Sequence, residues 1–140
     1  MFQKVLVPVD ILEPSFSRKA IASVEALIKA NDGEMRLIYV STVITPMVGE
    51  FLPPAYDQES QAEAKMKLEA QAQSVTLPKD KVSTVVRLGG IYHEILDEAR
   101  SFGADLIVVG SHHPTMATYL LGSNAASIVR HAQCSVLVIR

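Results

Sequence analysis

The chain has 140 residues, room for one domain spanning 1–140, and with 49% apolar and 20% charged side chains it has the composition of an ordinary globular protein. Thirteen basic against fifteen acidic side chains leave a net charge of −2, which excludes the broad cationic surface of a general nucleic-acid binder. One cysteine excludes an internal disulfide framework and a thiolate zinc site, and no apolar run approaches the ~18–20 residues of a membrane span. The opening MFQKVLVPVD is interrupted too soon for a signal peptide, so a reducing, cytoplasmic setting is expected, with no membrane and no nucleic acid as partner.

In chain order, the first β-branched apolar run is Lys4–Val9, which stops at Asp10. Ser15–Ala30 comes next as a helix, with Phe16, Ala20, Val24, Leu27 and Ile28 on one stripe and Asn31-Asp32-Gly33 as its stop. Met35–Val40 is the second strand. The stretch Ser41–Asp57, with Pro46, Gly49, Pro53 and Pro54, is long for a strand-to-helix connection. Glu59–Ser74 is rich in Ala, Glu, Lys and Gln but poor in large apolar groups, a helix that covers an edge of the sheet. Val82–Leu88 is the third strand, and Gly89-Gly90 turns into a helix over Ile91–Phe102 with Ile91, Ile95, Leu96 and Ala99 inward and Gly103 as its end. Asp105–Val109 is the fourth strand, closed by Gly110. A short helix over Gly122–His131 leads to the last strand, Ser135–Ile139.

Several of these strands are continuously apolar rather than alternating, as strands covered on both faces are. Five strands alternating with four helices predict an α/β fold, an open doubly wound sheet of five parallel strands. Ligands of such sheets bind beyond the carboxyl ends of the strands, where the winding reverses. The residues just after the first and fourth strands therefore matter most.

Asp10, after the first strand, can accept from two ribose hydroxyls, bind a hydrated cation, or cap the helix next to it. Gly110 either turns the chain or lets a ligand approach the backbone. Leu120-Leu121-Gly122-Ser123-Asn124-Ala125, with Gly122 twelve residues past Gly110, opens the final helix. Free N–H groups and the positive dipole end there suit a phosphate, and ordinary capping by Ser or Asn is the competing reading. There is no Walker A lysine motif and no GxGxxG. No Lys or Arg occurs from 101 to 129, so a triphosphate would rest on backbone donors, hydroxyls, a metal ion and the histidines. That pattern favours binding over rapid phosphoryl transfer, which needs fixed cationic clamps. His112-His113 lacks the partners of a metal site, Ser111 lacks a nucleophile elbow, and Cys134 reads as a small buried hydrophobe.

Taken together, KVLVPVD at Lys4–Asp10 and VVGSHHPTMATYLLGSNAASIVRHAQCSVLVIR at Val108–Arg140 resemble the universal stress protein family, and within it the small F/G-type bacterial members. The resemblance covers the whole chain. It implies a Rossmann-like, adenine-nucleotide-binding sheet with strand order 3-2-1-4-5. The family's G-x2-G-x9-G-[ST] pattern maps onto Gly110 and onto Gly122-Ser123. His113 stands at the second glycine, and the interval to Gly122 is one residue short. F/G-type members share this variant, with Ser111 and Pro114 opening the loop.

For the site, the resemblance has specific implications. Pro8, Val9 and Asp10 line the adenosine, with Asp10 on the ribose, and Val40 meets the adenine edge through its backbone. Val109 and Gly110 flank the ribose. Ser111, His112 and His113 approach the phosphates from the loop, and Gly122, Ser123 and Asn124 hold them from the helix. The implied ligand is ATP with Mg2+, and the implied partner is a second copy joined through Val136–Ile139. The leading expectation is an ATP-binding, dimeric stress-response regulator. The alternatives are a slow ATP hydrolase or autophosphorylating protein, and a dimeric interaction module with a vestigial site.

Overall fold

The computed structural model describes residues 1–11, 14–42, 56–110 and 122–140. The loop residues Ser111, His112 and His113, and most of the connection after the second strand, lie outside that set.

The elements run β1 (Lys4–Pro8), α1 (Pro14–Ala30), β2 (Glu34–Ser41), α2 (Tyr56–Gln73), β3 (Val82–Leu88), α3 (Ile91–Phe102), β4 (Leu106–Gly110), α4 (Ser123–His131) and β5 (Ser135–Ile139). All four strand pairings are parallel, in the expected order β3-β2-β1-β4-β5. The winding reverses between β1 and β4, whose registers meet at Val5↔Leu106 and Leu6↔Ile107.

Burial on both faces explains the unbroken apolar strands. Val5, Val7 and Val9 join Leu106 and Val108 in one core, against Ala20, Ile21, Val24 and Ile28 of α1 and Leu68 of α2. Leu6, Ile107 and Val109 turn to the opposite core, against Ile95, Leu96 and Ala99 of α3 and Ala125 and Ile128 of α4. The side-chain period of two thus sends alternate residues of one strand to different helix layers. The α1 stripe forms as expected at Ala20, Val24 and Ile28, with Leu27 at its margin; the Phe16 side chain is outside the described set. The polar α2 packs over β2 and the edge strand β3 and is held by few groups, chiefly Ala64 and the fully buried Leu68.

Two glycines are fixed by geometry. Gly103 ends α3 in the left-handed region (φ 75°, ψ 36°), where only glycine is unstrained, and Ala104 N–H then reaches Ala99 O at 2.9 Å. Gly33 serves by size instead: a Cβ there would lie 3.0 Å from Gln3 O, and Asp32 takes the left-handed turn at φ 51°.

Charged residues on β2 and β3 anchor α3. Glu98 of α3 is 6% exposed and accepts from Arg36 Nη1 at 2.8 Å and from Arg87 Nη1 at 2.7 Å. Arg87 Nε also donates to Glu94 at 2.9 Å, and the Arg36 guanidinium carbon lies 4.2 Å from the centre of the Phe102 ring. Bonds from Arg87 to Glu94 and then Glu98 hold its guanidinium pKa above the ordinary value.

Candidate functional site

The site begins with a proline. Along a parallel strand successive N–H groups point to alternate neighbours, and Val9 N–H goes to Ile38 O of β2 at 2.8 Å. The N–H that Pro8 lacks is therefore the one that would have faced β4. Pairing of β1 with β4 stops at Leu6↔Ile107, while pairing with β2 continues to Pro8↔Ile38. Past that point the two central strands are no longer tied, and a crevice opens between their carboxyl ends.

A cavity of about 430 Å³ occupies this crevice. It is small for a ligand pocket, toward the low end of the usual ~300–1,000 Å³. Its floor is strand ends: Pro8, Val9 and Asp10 of the β1 end, Ile38, Tyr39, Val40 and Thr42 of the β2 end, and Val109 and Gly110 of β4. Ser17 and Ala20 of α1 wall one side, and Ile91, Ile95, Asn124, Ala125 and Ile128 of α3 and α4 wall the other. The lining is predominantly apolar, with Asp10 as its charged side chain. The chain's thirteen Lys and Arg residues all lie within the described set, and none is in this wall.

Of the residues singled out from sequence, Pro8, Val9, Asp10, Val40, Val109, Gly110 and Asn124 come together on this cavity. Gly122 and Ser123 stand next to Asn124, at the N-cap and first position of α4, but are not in the wall itself. Ser111, His112 and His113 come after Gly110, outside the described residues. The N-cap of α4 is Gly122 rather than Ser123 or Asn124, and among the described residues no side-chain cap bond is made there. The first N–H groups of α4 have no acceptor within the helix itself and lie at its positive dipole end. No group of three or more His, Cys, Asp and Glu among the described residues is arranged to hold a metal ion.

Beyond Asn124 of α4, sequence alone does not reveal the helix contributions. Ile91 and Ile95 read there only as core, although their four-residue spacing puts both on one face. Ser17 leaves a fainter signal, a hydroxyl three residues before Ala20 on the buried stripe. It is 3% exposed, and its Oγ accepts the Asp10 N–H at 3.0 Å. The Gly89-Gly90 turn is as expected, with Gly90 at the N-cap of α3 and Gly89 N–H on Ser41 O at 3.0 Å. Cys134 is half-buried against the α3–α4 core, and burial raises its thiol pKa.

Known proteins share this architecture. The chain is 33% identical to universal stress protein G of Escherichia coli O157:H7 over 143 residues, covering all of both proteins. It is similar in structure to the universal stress protein UspA from Lactobacillus plantarum, with TM-score 0.78, 27% identity and coverage of 99% and 98%. At the level of fold alone it is similar to a universal stress protein from Archaeoglobus fulgidus solved in complex with dAMP, with TM-score 0.66, 18% identity and full coverage of both chains. The model of the universal stress protein family matches residues 1–140, the whole span that carries the sheet and its switch-point cavity. The chain belongs to the universal stress protein family.

Proposed function

We propose that this protein binds an adenine nucleotide, ATP with Mg2+, in the cavity between β1 and β4, and that 1–140 acts as one domain in a dimeric, nucleotide-dependent regulator of a cytoplasmic stress response. The observation that carries the reading is the combination in one crevice of an apolar slot, a carboxylate at its mouth and a helix start with glycine at its N-cap. The slot suits a purine, the Asp10 carboxylate suits two ribose hydroxyls, and the N–H groups at Gly122–Asn124 suit phosphate oxygens. Ser111, His112 and His113 would meet the phosphates from the other side. The A. fulgidus complex with dAMP supports the fold as a holder of adenine nucleotides.

Mg2+ would neutralise phosphate charge that no Lys or Arg of the wall can meet. The same wall argues against fast ATP hydrolysis, which needs cationic groups fixed on the transferring phosphoryl. Dimerisation through β5 is supported by its pairing with β4 alone among the described residues and by the exposed Leu137 on it and Val129 on α4. Leu137→Lys is expected to give monomers by light scattering.

The test of the nucleotide reading is to purify the protein without added nucleotide, denature it and identify what is released, then titrate the emptied protein with Mg·ATP. Released ATP or saturable binding supports the reading. Released ADP or AMP points to slow turnover. An empty protein that takes up no Mg·ATP refutes it and leaves an interaction module with a vestigial site.

A further inference from the structure

Resting on the adenine-nucleotide reading, we infer that Ser17 is the positioning residue that fixes Asp10 and makes the site select ligands with free ribose hydroxyls.

The sheet ends at the site itself. Val9 N–H, one residue past β1, still reaches a strand neighbour, at Ile38 O. Asp10 is the first residue past it, and its N–H goes instead to Ser17 Oγ at 3.0 Å. That acceptor is held rigidly. Ser17 is 3% exposed and sits in the first turns of α1, whose Ala20, Val24 and Ile28 continue the same buried stripe into the core. A hydroxyl in such a stripe is costly to bury unless it is hydrogen-bonded, and packing alone would be met by alanine. Here the hydroxyl lines the cavity beside Ala20 and ties the residue carrying the ribose-facing carboxylate to the helix.

A carboxylate discriminates between a ribose and its deoxy form only if its oxygens stay in place, because a misplaced acceptor gains nothing from the hydroxyls. Asp10 is exposed at the mouth, and the position of its backbone sets where its carboxylate can reach. The Ser17 bond fixes that backbone at the first residue outside the sheet. Adenine recognition, by the apolar wall of Val40, Ile91, Ile95 and Val109, does not pass through Ser17.

The experiment is a double-mutant cycle on Ser17→Ala and Asp10→Asn, with calorimetric affinities for AMP and for its 2′,3′-dideoxy analogue at one fixed pH. Wild type is expected to prefer AMP by about tenfold or more, and Asp10→Asn to erase the preference. Ser17→Ala is expected to reduce the preference to about twofold while leaving affinity for the dideoxy analogue within about twofold, and to add nothing in the Asp10→Asn background. In the ligand-free protein, Ser17→Ala is expected to speed hydrogen exchange at the Asp10 amide by about tenfold with exchange in β1 unchanged. Full retention of the AMP preference in Ser17→Ala, or equal weakening of both ligands, overturns the role given to Ser17. Absence of binding by wild type to either ligand overturns the nucleotide reading itself.

Discussion

Replacing Glu98 by Gln tests whether the α3 side of the site is held by charge as well as by packing. Each Glu98 oxygen meets a different arginine, at 2.8 and 2.7 Å, and the residue is 6% exposed. Glutamine keeps the shape and one acceptor but sets an NH2 against the second guanidinium. The change removes one charge-assisted bond, worth ~1.5–3 kcal/mol, and weakens the other. Against that stands solvent screening, since the Arg36 and Arg87 side chains are 29% and 27% exposed. The expected loss is about 2 kcal/mol, below the ~3–5 kcal/mol seen when a fully buried pair is broken. For a chain of this size it corresponds to a fall in Tm of about 6–8 °C. Urea unfolding at neutral pH measures it, with Glu94→Gln as control. Glu94 has a single bond to Arg87 at a 22%-exposed side chain and is expected to cost under ~1 kcal/mol. A Glu98→Gln stability within ~0.5 kcal/mol of wild type, or equal to that of Glu94→Gln, would refute the claim that Glu98 joins β2 and β3 to α3. The Arg87 pKa is raised, so its stabilising share is fully present below the ordinary arginine value and is lost only as pH rises through the higher folded one. The Glu98→Gln deficit should therefore stay flat between about pH 7 and pH 10.

Leu68→Ala removes the fully buried anchor of α2 and is expected to cost about 3 kcal/mol by urea unfolding, whereas Met66→Ala on the exposed side of the same helix should fall within ~0.5 kcal/mol of wild type. The Cys134 thiol is raised first by burial, so its protonated form is favoured in the folded state; stability is complete below the ordinary value of 9.0 and declines as pH rises past it, a decline that Cys134→Ala should reduce. With no Lys or Arg in the cavity wall, chelating Mg2+ should weaken ATP by about tenfold or more while leaving adenosine unchanged; tight metal-free ATP binding that falls steeply with salt would show that a cation had been overlooked.

How much is legible in the sequence depends on how locally each feature is encoded. β3 and β5 can be bounded to the residue because both are short β-branched runs flanked by polar or turn residues, and α3 because Gly90 and Gly103 enclose it. α2 is legible by composition and not by periodicity, since Ala64 and Leu68 carry its contact with the sheet. The strand-end half of the site is also legible, because the topology alone puts Asp10 and Gly110 at the switch point. Of the helix half only Asn124 is legible, from the Gly-Ser-Asn start of α4. Whether Ser17 or Ile91 reaches the crevice depends on how far each helix slides along the sheet, and packing across two cores sets that. The charged anchor is hidden for a similar reason. Arg36 and Arg87 look like interruptions in apolar strands until the β2–β3 register pairs Arg36 with Ser83 and Val40 with Arg87, and brings both side chains under Glu98.

Pro8 is the most instructive case, because its physical meaning is local and its consequence is not. Within a central strand a proline is a defect: it lacks a donor and removes one ladder bond. At the last residue of β1 that lost bond is the one to β4. The two strands part at the sheet's point of reversal, where the helices leave room for a ligand. Chain order alone cannot assign that missing N–H to a partner; it takes the parity of the hydrogen bonds, set by Val9 on Ile38. Pro8 thus leaves the β4 side of the β1 end without a ladder donor at the point where the strand order itself reverses.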